Sequence, residues 1–319
     1  MSTKTFARTF IATLLAAGLA TAAHAQSSQL RFGAGQQGSQ NYGVNAALAQ
    51  AIGDNTDLDV TVQAFGGPTA YLPLVNEGRL DIAAVVTPDF GDAVRGTGPF
   101  EGNAQKNLRL VAALFPSPVG MMVAADSGIK TIADLKGKRV AWGMPAQASL
   151  QPYIVGSLAN GGLTPDDVVQ VPVASVGNGV QALTSGTVDA TLFALRAGKV
   201  VEADAALGGI LWLPYDGSAE AVERMQAVAP EAYLVDVAAD GKVVGVPSPI
   251  QTMAYDYVLA VNADVPAATV ETVSKLLRDK GADLAKANKL LGAISTENLT
   301  RAYPSLPRAA AAEAVFGAN

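Results

Sequence analysis

Strand and helix signals alternate along this chain, break off, and then begin again. Leu30–Gly33 and Asp59–Phe65 read as strands, and Tyr42–Ile52 between them reads as a helix with one apolar face made of Val44, Leu48, Ala51 and Ile52. Asp81–Val86 and Leu108–Phe115 read as two more strands. The second round opens at Thr131-Ile132-Ala133-Asp134, a capping box that starts a short helix ending at Gly137. It continues with a strand at Lys138–Trp142, a helix at Leu150–Asn160, and strands at Val169–Val173, Ala190–Leu195 and Ile210–Leu213. Thr164-Pro165-Asp166-Asp167 should open a helix of its own, with a cap, a first-turn proline and two acids at the positive end of the dipole. Met253–Val261 is a late strand. Val265-Pro266 opens a long helix striped by Val270, Val273, Leu276 and Leu277, and Ala-rich helical segments close the chain.

Such alternation argues for an α/β fold with parallel sheets covered by helices. Two α/β halves without a flexible linker suggest lobes joined by crossing strands, with a hinge and a ligand cleft between them. The expected division is 26–118 for lobe I, 119–247 for lobe II, and 248–319 for the return through the hinge and the C-terminal helices of lobe I. Residues 1–25 read as a secretory signal peptide: Lys4 and Arg8, an apolar run from Phe10 to Ala20, and an Ala23-His24-Ala25 site. Cleavage after Ala25 predicts a periplasmic protein without stable membrane insertion.

The chain has no cysteine and one histidine. That histidine, His24, falls in the leader. The mature chain therefore excludes disulfides, thiolate nucleophiles, Ser-His triads and zinc sites built on His or Cys. No calcium-loop motif appears either, so neither a metal nor a cofactor is expected. Ser127-Gly128-Ile129-Lys130 is a nominal S-x-x-K without the companion motifs of an acylating enzyme, and Ser127 reads as a turn residue before a helix. No catalysis is expected. The net charge is −6, and losing Lys4 and Arg8 makes it −8, so nucleic acid is not a partner.

In open α/β sheets, ligands sit beyond the carboxyl ends of the strands. The first such loop is Gly33-Ala34-Gly35-Gln36-Gln37-Gly38, a literal G-x-G-x-x-G between strand and helix. A dinucleotide would also want an acid at the end of the second strand, which instead ends Phe65-Gly66-Gly67. Backbone N–H groups of this loop and the helix start after Ser39 can still face an anion. Gly67, Thr69 and Tyr71 follow the second strand, and Thr87 and Asp89 follow the third. In the second half, Trp142, Gln147 and Ser149 stand at an equivalent place. Arg196 follows Ala190–Leu195 and is the best-placed cation for the cleft. Tyr42, Tyr71, Trp142 and Phe193 could stack on a ligand or fill lobe core.

These residues resemble the TAXI family, the binding proteins of a class of TRAP transporters. The match is carried by the glycine-rich turn leading into Ala47-Leu48-Ala49-Gln50, by Gly66-Gly67, and by Gly78-Arg79-Leu80-Asp81-Ile82-Ala83. The block Arg95-Gly96-Thr97-Gly98-Pro99-Phe100 and the segment Asp126 to Val140, which many periplasmic binding proteins share, extend it. The resemblance implies a type II periplasmic-binding fold, and a monomer is expected. It also implies delivery to the permease subunits of a sodium-coupled transporter, and ligands such as glutamate or other organic acids and amino acids. Several cleft positions depart from the family pattern, including Gln36-Gln37-Gly38-Ser39, Pro68, Tyr71, Pro88 and Ala146-Gln147-Ala148-Ser149. A small polar ligand, expected to carry a carboxylate but shaped differently from glutamate, follows. Two other readings share the fold: a binding protein of an ABC importer for sulfonates, nitrate or thiamine precursors, and a ligand sensor.

Overall fold

The computed structural model describes residues 29–37 and 39–317. The expected leader, its cleavage site after Ala25, and Gly38 lie outside the described residues.

In chain order the first half comprises β1 (Gln29–Ala34), α1 (Gln40–Asn55), β2 (Asp59–Ala64), α2 (Pro68–Asn76), β3 (Ile82–Val86), α3 (Thr87–Arg95) and β4 (Leu108–Ala124). The second half adds β5 (Arg139–Gly143), α4 (Gln151–Asn160), β6 (Val169–Val173), α5 (Val176–Thr184), β7 (Thr191–Ala194), α6 (Lys199–Leu207), β8 (Ile210–Trp212), α7 (Ala219–Val228) and β9 (Tyr233–Val237). The chain returns through β10 (Ile250–Asn262), α8 (Ala267–Lys280), α9 (Thr296–Thr300) and α10 (Ala310–Phe316). Short 3-10 turns fill several connections.

The main sheet has eight strands in the order β2-β1-β3-β10-β4-β7, with β8 also on β4 and β9 also on β10; β5 and β6 form a parallel pair beside it. β1 is parallel to β2 and β3, but β10 runs antiparallel to β3, β4 and β9, and β4 antiparallel to β7 and β8. The expectation of parallel sheets is thus corrected to a mixed one. Strand-helix alternation specifies βαβ units, and it carries no signal for a strand that returns from the far end of the chain.

β4 and β10 belong to both halves. The first part of β4 pairs with the last part of β10 from Leu108↔Asn262 to Phe115↔Tyr257, the two then cross through Pro116↔Asp256 to Val119↔Met253, and β7 and β8 join β4 beyond Val119. The strand expected to stop at Phe115 therefore runs on to Ala124. Pro116 and Pro118 disguise this, because proline cannot donate to a ladder. Residues two apart present their backbone groups to the same side, and Pro118 O accepts from Leu195 N on the β7 side (3.1 Å). Both missing N–H groups therefore point to the edge where pairing with β7 is only beginning.

Each half has its own core. Lobe I packs two apolar clusters on the two faces of its sheet. One runs from Phe32, Leu48 and Ile52 to Leu259 and Leu277, the other from Tyr71, Leu72 and Phe90 to Leu108 and Tyr303. Lobe II gathers Met121, Leu135, Val140, Tyr153, Ile154, Leu192 and Trp212 into a third. The capping box at Thr131 and Asp134 forms as expected. The segment after Thr164 also closes its capping box, with Asp167 accepting from Thr164 N (2.9 Å), but it makes only a three-residue 3-10 turn at Pro165–Asp167. Val168 and the strand-forming Val169–Val173 follow at once, so the helix start has no helix to propagate. β9 and α7 were not anticipated from the sequence.

Candidate functional site

The carboxyl ends of β1, β3 and β5 and the crossing of β4 with β10 converge on the space between the lobes. On the lobe I side the β1–β3 ladder covers only Phe32↔Ile82 and Gly33↔Ala83. The next peptide, Ala84, is completed by side chains. Asn45 Oδ1 accepts from Ala84 N (2.6 Å), and Ala84 O accepts from Asn45 Nδ2 (2.9 Å), Asn41 Nδ2 (3.1 Å) and the Tyr71 hydroxyl (3.2 Å). Tyr71 is wholly buried and braces the strand end from beneath. It is not exposed for stacking.

The glycine loop after β1 is less open to an anion than its sequence suggests. Gly35 N donates to Asn41 Oδ1 (2.8 Å), and Ser39 N donates to Gln36 O (3.0 Å). Ser39 caps α1 by accepting from Tyr42 N (3.1 Å). Two of the backbone donors expected for the ligand are therefore already used. Gln36, Gln37 and Ser39 are exposed and Tyr42 is half-buried. Gly67 stands at the N-cap of α2, where Tyr71 N reaches its carbonyl (3.2 Å), and Thr69 is exposed in the first turn.

Thr87 and Asp89 begin α3. Thr87 is fully buried, and its Oγ1 accepts from Asp256 N in the crossing (3.3 Å). Asp89 lies in the first helical turn, partly open to solvent yet enclosed by protein. Burial raises its carboxyl from the ordinary range to about 6; Asp92 adds to the rise, and the nearby Ser149 hydroxyl opposes it. Neither of the two groups that act on this carboxylate, Ser149 and Asp92, is a cation.

From lobe II, Gly143 and Met144 turn the chain at the end of β5, both with positive φ (84° and 41°). Met144 is the one non-glycine residue in that region among the described residues, a costly backbone held by burial of its side chain. The turn delivers the 3-10 segment Pro145–Leu150 to the cleft. Gln147 Oε1 accepts from Val176 N (3.1 Å), tying the segment to the start of α5, and Trp142 is half-buried against the lobe II core. Ser149 is 3% exposed, and its hydroxyl has no partner at hydrogen-bonding geometry. Arg196, after β7, is exposed and makes no ion pair or hydrogen bond; Phe193 is buried in the lobe II core.

The structure therefore brings Asp89 and Ser149 together from opposite lobes and leaves Arg196 at the surface of lobe II. It adds residues that the strand-end rule passed over. Phe115 on β4 stacks on Tyr257 of β10 (4.9 Å between centroids, 23°), and Tyr255 meets the edge of Tyr153 from α4 (5.3 Å, 84°). Tyr255 and Tyr257 both lie within electrostatic reach of Asp89, and burial pushes the Tyr257 hydroxyl up to about 12. The Tyr153 hydroxyl, on a residue 2% exposed, is also unpartnered. The alternation Tyr255-Asp256-Tyr257 in an otherwise apolar strand was the available sequence signal. It puts the tyrosines on one face and the acid on the other.

A family model described as the NMT1-like family matches residues 32–317. The chain belongs to the NMT1-like family. Among solved structures, this NMT1-like protein is similar to a TctC solute-binding protein from Polaromonas, with 14% identity, 86% of this chain and 90% of that chain covered, and a TM-score of 0.56. It also aligns with the periplasmic aliphatic sulphonate binding protein SsuA from Escherichia coli, at 20% identity over 82% of this chain and 79% of that chain, with a TM-score of 0.48. The fold is the two-lobed one that periplasmic solute-binding proteins such as this TctC protein share. Among the described residues of this family member, no group of three acidic or His side chains is placed to hold a metal ion, and no helix is long and apolar enough to cross a membrane.

Proposed function

We infer that this protein captures a small polar ligand between its lobes in the periplasm and presents it to a membrane transporter. The observation that carries this reading is the meeting of Asp89 and Ser149, contributed by opposite lobes, with the buried Ser149 hydroxyl short of a well-formed hydrogen bond and the Asp89 carboxyl facing a second acid, Asp92. A buried hydroxyl or carboxylate without partners costs about 1–3 kcal/mol or more, which a bound solute would recover. The family match and the fold support a binding role without catalysis. A carboxylate on the ligand would find Arg196 and the exposed Gln36-Gln37 turn at the mouth of the cleft.

The transporter has two readings. The TAXI resemblance points to a sodium-coupled TRAP permease. The description of the matching family names no transporter class, and the fold is equally at home in an ABC importer for sulfonates, nitrate or thiamine precursors. Neighbouring genes separate the two: an ATPase indicates the importer, fused membrane subunits the sodium-coupled system. The binding role itself is tested by a thermal-shift screen of acids, amines, amino acids and sulfonates, followed by small-angle scattering. A ligand at about 100 times its dissociation constant adds roughly 2.7 kcal/mol of stability. Closure should reduce the radius of gyration. A protein that binds nothing in the screen and keeps one radius throughout is not a solute receptor.

A further inference from the structure

The cleft floor has a definite electrostatic sign. Asp89 is its central ionisable group, and Asp92 stands one turn along the same helix. The cations near the crossing are already engaged. Arg95 pairs with Glu231, Arg301 lies 3.1 Å from Asp256, and on the outer strands Arg31 and Arg139 pair with Asp81 and Asp189 at 2.7 and 2.6 Å. Arg196 is exposed and is not among the groups acting on Asp89. Beside the carboxylate stand the Ser149 hydroxyl, on a residue 3% exposed, and the rings of Tyr255 and Tyr257, which continue into Tyr153 and Phe115 by edge and stacked contacts.

An anion reaching this floor would meet an uncompensated carboxylate and no cation. A cation would neutralise that carboxylate, donate to the Ser149 hydroxyl oxygen, and lie against ring faces that attract positive charge. We propose that the floor of the cleft is a receptor for a protonated amine, which seats on Asp89 with Ser149 as a second acceptor and Tyr255 and Tyr257 as its wall. The amine, rather than any carboxylate, anchors the ligand. This rests on the solute-binding reading above and adds to it the charge of the solute. An anionic end is optional and would project toward Arg196.

The test uses the full mature chain and three classes of probe in thermal-shift and calorimetric titrations. The classes are amines without an acid (ethanolamine, putrescine, tyramine), acids without an amine (propionate, glutarate, ethanesulfonate), and zwitterions carrying both (L-alanine, L-glutamate). At least one amine-bearing probe is expected to raise the melting temperature. Asp89→Asn should weaken that probe ten- to hundredfold and Ser149→Ala by less, with folding checked by circular dichroism. Retention of affinity in Asp89→Asn overturns the proposal. So does stabilisation by acids alone, which leaves the solute-binding reading standing. Silence from all three classes sinks both.

Discussion

Arg95, in the last turn of α3, forms an ion pair with Glu231, which precedes β9 in the other lobe. Glu231 is 2% exposed and also accepts from Ser305 Oγ in the C-terminal segment (2.9 Å). Three separate parts of the chain thus meet on one buried carboxylate that bridges the lobes. Opening the cleft would have to part Arg95 from it.

Glu231→Gln should loosen this bridge. Breaking a fully buried pair costs about 3–5 kcal/mol. The Arg95 side chain is 31% exposed, so solvent screening brings the expected loss to roughly 1–3 kcal/mol. Urea unfolding measures it. Small-angle scattering of the ligand-free variant should give a larger radius of gyration than the native protein; an equal radius would mean the pair does not hold the lobes together.

Asp256 should be more costly still. It is fully buried in the crossing and accepts from the hydroxyls of Tyr233, on β9, and Tyr303 (2.6 Å), with Arg301 stacked over the Tyr233 ring at 4.0 Å. Burial holds its carboxyl above the ordinary range despite these three partners. Asp256→Asn leaves Arg301 without its buried counter-charge and should cost about 3–5 kcal/mol. Tyr303→Phe removes one hydrogen bond and should cost about 0.5–1.5 kcal/mol, or up to about 3 given the charged acceptor. Comparable melting temperatures for the two variants would contradict this ranking.

The Asp89 carboxyl, raised to about 6, makes a pH prediction of definite sign. A folded-state value above the unfolded one means that folding favours the protonated acid. Its contribution to stability is full below about pH 4 and is lost as pH rises through about 6. The groups facing it are Asp92 on its own helix, Tyr71 on α2, Tyr255 and Tyr257 on β10, and the Ser149 hydroxyl. Asp89→Asn should therefore be more stable than the native protein at pH 7.5, by about 1–3 kcal/mol, with the gap closing toward pH 4.5. Amine binding needs the ionised form and should weaken on acidification through pH 6. A site that held an anion against protonated Asp89 would show the opposite slope.

Arg196→Ala tests the exposed cation that follows β7. As an exposed residue without partners, it should change stability by less than about 0.5 kcal/mol. Contact with an acidic group on the solute would appear as a ten- to hundredfold loss confined to probes carrying an acid, because a charged hydrogen bond is worth about 1.5–3 kcal/mol. Calorimetry with L-glutamate and putrescine separates the cases. Equal loss for both would indicate that Arg196 acts on the fold and not on an acid.

Much of the architecture was legible because its signals are local. The apolar stripe of α1 and the capping box at Thr131 each lie within one segment and appear where periodicity and cap chemistry put them. Crossing strands and a hinge were expected, but the course of β4 through them was not legible, since it hides behind Pro116 and Pro118, and a strand that pairs across more than a hundred residues leaves no local trace. In the site, loop position drew attention to Asp89 and Ser149, which the structure brings together. It could not reveal that Gly35 N is taken by Asn41, that Tyr71 is sealed beneath the sheet, or that Tyr255 and Tyr257 line the wall, because these depend on which neighbours the crossing brings near.

The central place of β10 also constrains the order in which the molecule can form. It lies between β3 and β4, so both strands lack a neighbour until residues 250–262 are available. A chain ending before that point has α1 to α7 and the pairing of β1 with β2 and β3, but an open gap in mid-sheet, with two long apolar edges exposed to other molecules. Neither lobe can be excised as a stable fragment at a single cut. Acquisition of the native state waits on closure of a loop more than a hundred residues long, a slow and cooperative last step.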